Sequence, residues 1–259
     1  MKKCRPAATS YGEIAIAGGD TAQPINLAIR IALIQHYVPL AGRKVIDCGC
    51  GSGRYVIEFL RLGADAWGIE YNEDKVHSFK QLAKEPDRVK IGDLQRIEYR
   101  DAIFDLALLN EVLEHVPDEH KALSEVLRIL KPGAALVVFS PNRLYPFETH
   151  GVRWKSTGRA ILPHGTLFIP YVPLRLGKRF FDYPARNYFP SELNRIVCEA
   201  GFEIVHRTYM WQTFENISGS QPPLIRVMRP LFRRISSALQ HIPGLRAFGV
   251  SQVIFARKR

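Results

Sequence analysis

The chain has 259 residues, of which 46% are hydrophobic and 24% charged, and its formal net charge is +11 at pH 7. This composition is typical of a globular protein with its own core, and it excludes collagen, coiled coils and wholesale disorder. No apolar run approaches the roughly 20 residues that span a bilayer, and no hydrophobic signal core follows the N-terminus, so a cytoplasmic protein is expected.

The positive charge is concentrated in the second half of the chain. Residues 1–140 carry 18 Lys and Arg against 19 Asp and Glu, whereas residues 141–259 carry 18 against 6. No acidic residue follows Glu215. Such asymmetry suggests an anionic partner, whether a membrane surface, a phosphorylated substrate or a nucleic acid. A solvated basic face without any partner explains it equally well.

The four cysteines indicate neither a disulfide framework nor a zinc site. They are Cys4, Cys48, Cys50 and Cys198, and no two of them form a CxxC pair. We expect reduced thiols.

Helix and strand patterns alternate along the first 140 residues. Helices are predicted at 24–38 and 54–62, after Asn72, and from Asp118 until Pro132 stops the last one. Strands are predicted at 44–49, 64–70, up to residue 91, 103–110 and 134–140. The alternation predicts a doubly wound α/β sheet whose ligands bind at the carboxyl ends of the strands.

The alternation breaks after residue 140. Residues 141–189 are rich in Pro, aromatic and basic residues and show no sustained period. Loops of this length are typical of lids or binding segments. A helix at 190–201 and strands at 202–210 and 250–258 then resume the pattern, with a second insertion at about 215–249. We therefore predict a ligand-binding core at 1–140, a lid at 141–189, and the rest of the core at 190–259.

The most informative motif is VIDCGCGSGR at 45–54, in which a strand ends near Asp47 and glycines follow at 49, 51 and 53. These glycines allow the backbone to approach a nucleotide-type ligand closely. A dinucleotide fingerprint counted from Gly49 would need a glycine at Arg54, which weakens the hydride-transfer interpretation. The segment instead resembles motif I of the class I S-adenosylmethionine (SAM)-dependent methyltransferases.

That resemblance extends over residues 25–140 and implies SAM as the cofactor and a seven-stranded, mostly parallel sheet with an antiparallel last strand. It assigns Glu70 to the ribose hydroxyls, and Asp93 and Leu94 to the adenine. Asp47 and the glycines would hold the amino-acid end of SAM. The residues it implies in cofactor binding are Asp47, Gly49, Gly51, Gly53, Glu70, Tyr71, Asp93, Leu94 and Asn110.

A second constellation combines Glu111, Glu114 and His115 with a later histidine, His150. If EVLEH forms one helical turn, its two carboxylates and its imidazole share one face. The set resembles the metal site of small-RNA 3′-end 2′-O-methyltransferases, and EVLEH also resembles ubiquinone-pathway O-methyltransferases. Oxygen and imidazole ligands would suit Mg²⁺ or Mn²⁺. The same segment is common in methyltransferases that need no metal, so both alternatives stay open.

An acceptor hydroxyl must lose a proton during methyl transfer, and histidine titrates near neutral pH. His150 is the first candidate for the general base and His115 the second. Packing or surface roles remain open for both.

Residues 222–248 form a basic amphipathic pattern. Arg226, Arg229, Arg233 and Arg234 fall on one arc of a helical wheel, and Met228, Leu231, Phe232, Ile235 and Leu239 on the opposite one. The pattern predicts either peripheral contact with an anionic membrane or a helix that packs its apolar arc on the core as a cap.

The expected function is methylation of a hydroxyl on a sugar, glycan, lipid-linked or other small-molecule acceptor. Methylation of an RNA 2′-hydroxyl, N-methylation of a small amine, and a non-catalytic SAM-binding scaffold at a membrane surface are the alternatives. No recognisable RNA-binding module supports the first of these alternatives.

Overall fold

The computed structural model of the chain describes residues 25–147, 151–159, 168–213 and 227–259. Its helices are α1 (Ile25–Tyr37), α2 (Arg54–Arg61), α3 (Glu73–Leu82), α4 (Glu119–Ile129), α5 (Leu174–Phe180), α6 (Pro190–Glu199) and α7 (Arg229–His241). Its strands are β1 (Lys44–Cys48), β2 (Asp65–Glu70), β3 (Val89–Ile91), β4 (Phe104–Asn110), β5 (Leu130–Pro141), β6 (Arg153–Trp154), β7 (Phe181–Asp182), β8 (Phe202–Met210) and β9 (Ser251–Lys258).

Seven strands form one sheet in the order β3-β2-β1-β4-β5-β9-β8. The first five in that order pair in parallel, whereas β9 runs antiparallel to both β5 and β8. The prediction of a seven-stranded, doubly wound sheet with an antiparallel last strand is thus confirmed. The order reverses direction at β1 and β4, which is where ligands bind in such sheets.

Apolar side chains cover both faces of the sheet. On one face, residues of α4 and α6 such as Leu123 and Val197 pack on the strands. On the other face, Ile34 of α1, Phe59 of α2 and Phe79 of α3 do the same. This two-sided burial explains why the parallel strands read as continuous apolar runs in the sequence.

Side-chain caps determine where two of the helices that border the site begin. The Asn72 side chain accepts a hydrogen bond from the Lys75 amide and begins α3, as the sequence predicts. Asp118 does the same for α4 through the Lys121 amide. α4 ends at Ile129, three residues before Pro132, because β5 already begins at Leu130. The predicted stop at Pro132 is therefore slightly too late.

The two insertions carry short elements of their own. The described part of 141–189 contains the two-stranded ribbon β6–β7, a 3-10 turn at Ile169–Tyr171 and α5. The second insertion contains α7, which has Pro230 in its first turn, followed by a 3-10 turn at Leu245–Phe248. The assignment of 141–189 as a lid stays a prediction. Within the described ranges, every helix is too short or too polar to cross a bilayer.

Candidate active site

A cleft of about 470 Å³ opens at the carboxyl ends of the parallel strands. Four strand-end segments contribute to it: Gly49 and Gly51 after β1, Glu70 and Tyr71 at β2, Asp93, Leu94 and Gln95 after β3, and Glu111, Val112 and His115 after β4. The order of these segments follows the order of the strands in the sheet. One end of the cleft therefore holds the residues of β2 and β3, and the other end holds those after β4.

The glycine turn after β1 has a steric requirement for glycine. Gly49 has a φ of +81°, and a Cβ there would lie 2.6 Å from a methyl carbon of Val112. Gly51 has a φ of +55°, and a Cβ there would meet no atom within 4 Å. The turn thus packs tightly against the segment after β4 at Gly49, and it leaves its backbone open to a ligand at Gly51.

Glu70, at the end of β2, is held in place by two backbone amides. Its carboxylate accepts one hydrogen bond of 2.7 Å from the Gly51 amide and another of 3.0 Å from the Asn72 amide. The side chain is buried but lines the cleft. Each carboxylate oxygen has two lone pairs, so Glu70 can still accept from a pair of ligand hydroxyls.

Asp93 follows β3 and is also preorganised. One of its oxygens accepts a 2.8 Å hydrogen bond from the Gln95 amide. The apolar Leu94 beside it is buried, whereas Tyr71 is largely exposed at the rim. A carboxylate next to an apolar surface suits a flat base that carries an exocyclic amine.

Asp47, near the end of β1, is an unusual buried acid. Among the described residues no hydrogen-bond donor reaches either of its carboxylate oxygens. Burial, with a smaller contribution from the charge of Glu70, raises the pKa of Asp47 to about 8. A buried carboxyl of this kind is completed by a cationic ligand group such as an ammonium.

Gly53 and Asn110, which the sequence also assigns to cofactor binding, have structural contacts of their own. A Cβ at Gly53 would lie 2.3 Å from the Phe79 ring, so this glycine permits the packing of α2 against α3. The Asn110 side-chain oxygen accepts a hydrogen bond from Arg30. Whether either residue also touches a cofactor stays a prediction.

The segment EVLEH is not one helical turn. Glu111 has a φ of +54°, and only Leu113–His115 form a short 3-10 helix. The Glu111 carboxylate points to Arg30 and Ser251, the Glu114 carboxyl is buried, and His115 is exposed beside the cleft. The expected helical turn is therefore absent: the Glu111 and Glu114 carboxyls are still neighbours, but His115 does not join them.

The metal hypothesis gains no support from these positions. Within the described ranges, no group of three His, Cys, Asp or Glu side chains is placed to hold a metal ion. Burial, followed by the neighbouring charge of Glu111, raises the pKa of Glu114 well above its usual range, which disfavours the ionised form that binds a metal. His150 lies outside the described residues, so its predicted roles as base and ligand stay predictions.

Arg30 is the residue that the sequence interpretation missed. It lies on the inner side of α1 and donates hydrogen bonds to Asn110, to Glu111 at 2.7 Å and to Ser251 at 3.2 Å. Its guanidinium also lies 4.8 Å from the centre of the Phe139 ring. One sequence signal could have found it, because position 30 falls on the apolar stripe between Leu27 and Ile31.

The cleft residues fit the cofactor that the sequence resemblance implies. Glu70 offers acceptors for two vicinal hydroxyls, and Asp93 offers an acceptor for an amine. Asp47 is buried near the end of β1 and does not itself line the cleft, but an ammonium at the glycine turn would supply the partner that its carboxyl lacks. SAM carries all three of these groups, and their order in it matches the order of the strand ends.

Comparison with known families agrees with this geometry. A family model described as "Methyltransferase domain" matches residues 46–138. This range begins in β1 and ends within β5, and so includes the whole cleft.

Two curated relatives show different acceptor atoms. The chain is 32% identical over 180 residues to a ubiquinone biosynthesis O-methyltransferase of Methylococcus capsulatus, which covers 68% of this chain and 70% of that protein. It is 31% identical over 125 residues to norajmaline N-methyltransferase of Rauvolfia serpentina, which covers 46% of this chain and 43% of that protein.

Solved structures share the fold. A SAM-dependent methyltransferase from Mesorhizobium loti superposes with a TM-score of 0.57 at 18% identity, covering 87% of this chain and 96% of that chain. One from Methanosarcina mazei superposes with a TM-score of 0.56 at 20% identity, with the same coverages of 87% and 96%.

Proposed function

Because the chain belongs to the class I SAM-dependent methyltransferases, we propose that it methylates a hydroxyl group of a small-molecule acceptor. The observation that carries this proposal is the position of His115. This imidazole lines the cleft on the segment after β4, at the end away from Glu70 and Asp93. A hydroxyl that approaches the methionine half of the cofactor would therefore meet this side chain.

Each cleft residue then has a role. Bound SAM supplies a methyl group already activated by a sulfonium. Glu70 and Asp93 fix the adenosine half, and Asp47 with the glycine turn fixes the amino-acid half. His115 would accept the proton that the acceptor hydroxyl loses as its oxygen bonds to the methyl carbon, while the bond from that carbon to sulfur breaks and the neutral thioether leaves. Positioning supplies much of the remaining acceleration.

The acceptor chemistry is inferred from the insertion at 141–189. Its described part exposes Trp154 and Phe168, with Arg153 and Lys155 on either side of the tryptophan. Aromatic faces suit a sugar or another ring, and basic side chains suit a phosphate or carboxylate on it. We therefore favour a ring-containing, anionic acceptor, including a glycan or a lipid-linked precursor.

N-methylation of a small amine is the second candidate, and the relative named as an N-methyltransferase is the observation that favours it. A neutral amine depends less on a general base than a hydroxyl does, because it is already a nucleophile. The two candidates differ in how strongly they depend on a histidine.

The test is incubation of the protein with methyl-deuterated SAM and a metabolite extract, followed by mass spectrometry of the labelled products. We expect an O-methylated product, and we expect His115→Ala to lower its rate of formation about a hundredfold. SAM affinity should stay unchanged. His120→Ala is the matched control, because His120 is exposed on α4 and does not line the cleft.

Two results would contradict the proposal. An N-methylated product would favour the second candidate. A His115→Ala variant that forms the O-methylated product at the wild-type rate would remove the proposed base and leave His150 to be tested in the same assay.

A further inference from the structure

The surface of α7 carries an apolar stripe that faces solvent. Leu231, Ile235, Ala238 and Ile242 follow one another at helical spacing and are all exposed. We call these four residues the C-terminal stripe. Leu231 and Ile235 keep 49% and 45% of their surface accessible. The 3-10 turn that follows exposes Leu245 and Phe248 as well.

The opposite face of α7 holds the helix on the protein. Ser236 on this face is buried. The Arg233 side chain donates a 3.2 Å hydrogen bond to the Thr213 carbonyl, and the Gln240 side chain accepts a 3.3 Å hydrogen bond from the Trp211 amide. The sequence predicts that a cap helix buries its whole apolar arc. Met228, Phe232 and Leu239 of that arc are half-buried, whereas Leu231 and Ile235 point outward.

The insertion that carries the C-terminal stripe has charges of a single sign after Glu215. The last 44 residues contain eight Lys and Arg and no Asp or Glu, and five of the eight precede β9, whereas Arg257, Lys258 and Arg259 lie toward the other edge of the sheet. Arg234 is exposed on α7, immediately before Ile235 and three positions after Leu231. An apolar stripe next to basic side chains matches a lipid surface with anionic headgroups, which takes up the apolar groups and attracts the arginines.

The stripe lies at the same edge of the sheet as the cleft. The second insertion leaves β8 at Met210 and enters β9 at Ser251, and these two residues pair at the carboxyl edge of the sheet. Asn142, just beyond β5, donates 2.8 Å hydrogen bonds to the carbonyls of Ala247 and Gly249. A surface that binds the stripe would thus lie near the edge from which the acceptor enters.

We propose that the C-terminal stripe and Arg234 dock the protein on an anionic lipid surface. Docking of this kind turns the catalytic edge of the sheet toward the bilayer. The membrane then presents an acceptor that is dissolved in it or anchored to it. The docking surface itself does not depend on which atom of the acceptor is methylated.

Vesicle flotation of the full chain tests the proposal. We expect the protein to float with vesicles made of equal parts phosphatidylcholine and phosphatidylglycerol, to float much less with phosphatidylcholine alone, and to be released by high salt. Leu231→Ser with Ile235→Ser should abolish flotation. Arg234→Gln should weaken binding about fivefold, because one basic residue near an anionic surface is lost.

Ile57→Ser is the matched control. Ile57 lies on α2 and is 46% exposed, close to the exposure of Ile235, so the substitution removes the same side chain from a different surface. This variant should float like the wild type. Circular dichroism spectra and methyl transfer to a water-soluble acceptor should be unchanged in all of these variants.

Three outcomes would overturn the proposal. The first is a wild type that stays with the soluble fraction at low salt. The second is a stripe variant that floats as well as Ile57→Ser. The third is a dimer, seen by light scattering, that the stripe substitutions dissociate, since a second copy of the chain would then be the partner of the stripe.

Discussion

Arg30 in the first helix and Glu111 after the fourth strand form an ion pair of 2.7 Å, although 81 positions separate them in the chain. The same Glu111 oxygen accepts a 2.6 Å hydrogen bond from Ser251 at the start of the last strand. Glu111 has a left-handed backbone conformation, which is strained for a residue with a side chain. The pair thus joins three parts of the chain and holds the turn that leads to His115.

Arg30→Met should destabilise the fold, because it leaves the carboxylate of Glu111 without its cation in a largely buried position. Removing one partner of such a pair costs about 3 kcal/mol. Urea denaturation monitored by circular dichroism measures this loss. The double variant Arg30→Met/Glu111→Gln should recover part of the lost free energy of unfolding. If the double variant instead loses the sum of the two single effects, the two residues are not coupled.

Glu70→Gln should weaken SAM binding by roughly 1 to 3 kcal/mol, since a buried hydroxyl loses its charged acceptor. The amide also presents a donor where the Gly51 and Asn72 amides now donate to carboxylate oxygens. Calorimetric titration with SAM measures the change. Glu73→Gln on α3 serves as the control, because Glu73 is exposed and does not line the cleft. If Glu70→Gln binds SAM with unchanged affinity, Glu70 does not contact the cofactor.

Asp47 should make the ligand-free protein less stable as the pH rises. Its pKa is raised from 3.8 to about 8 in the fold, so the folded state binds more protons than the unfolded state between these two values. Stability therefore falls as the pH rises through this window. In Asp47→Asn that part of the pH dependence should vanish. Melting temperatures of both proteins across the window give the comparison, and parallel curves would contradict the raised pKa.

SAM binding at pH 7 should release a proton from Asp47. The carboxyl is protonated in the ligand-free fold at this pH, and the ammonium of the cofactor beside it would lower its pKa. Titration calorimetry in buffers of different ionisation enthalpy detects the release. The wild type should show it and Asp47→Asn should not. Equal binding heats in all buffers for the wild type would place the ammonium elsewhere.

Chelation should leave methyl transfer intact. The Glu111 carboxylate is engaged with Arg30 and Ser251, and burial raises the pKa of Glu114, so the fold favours neither of them as a metal ligand. We expect the same rate with and without excess EDTA. A loss of activity that Mg²⁺ or Mn²⁺ restores would instead support a metal site that includes His150.

The order of strands and helices could be predicted from the sequence because local signals mark each element. Asn72 caps α3, Pro190 begins α6, and the apolar runs of β1 and β4 are long enough to fill a sheet that is covered on both faces. The cleft residues after β1, β2 and β3 could be predicted for a related reason. Parallel strands bring their carboxyl ends to one edge, whatever the helices between them contain.

Other features depend on long-range contacts that no local pattern records. The contact of Arg30 with Glu111 requires α1 to pack across β4 and β9. The sequence predicts a helical turn for EVLEH, and the left-handed backbone of Glu111 prevents it. Two hydrogen bonds help to orient α7: Arg233 donates to the Thr213 carbonyl, and the Trp211 amide donates to Gln240. A helical wheel records neither contact, so it does not show which arc faces the protein.

The contact between Gly49 and Val112 has a kinetic consequence. The two residues pack so closely that a single added carbon would not fit, so a shift of the glycine turn toward Val112 would displace the segment that carries His115. We expect occupation of the turn by the cofactor to fix that segment, and with it the half of the cleft that receives the acceptor. We expect the two substrates to add in a fixed sequence, cofactor first, and the demethylated cofactor to leave last.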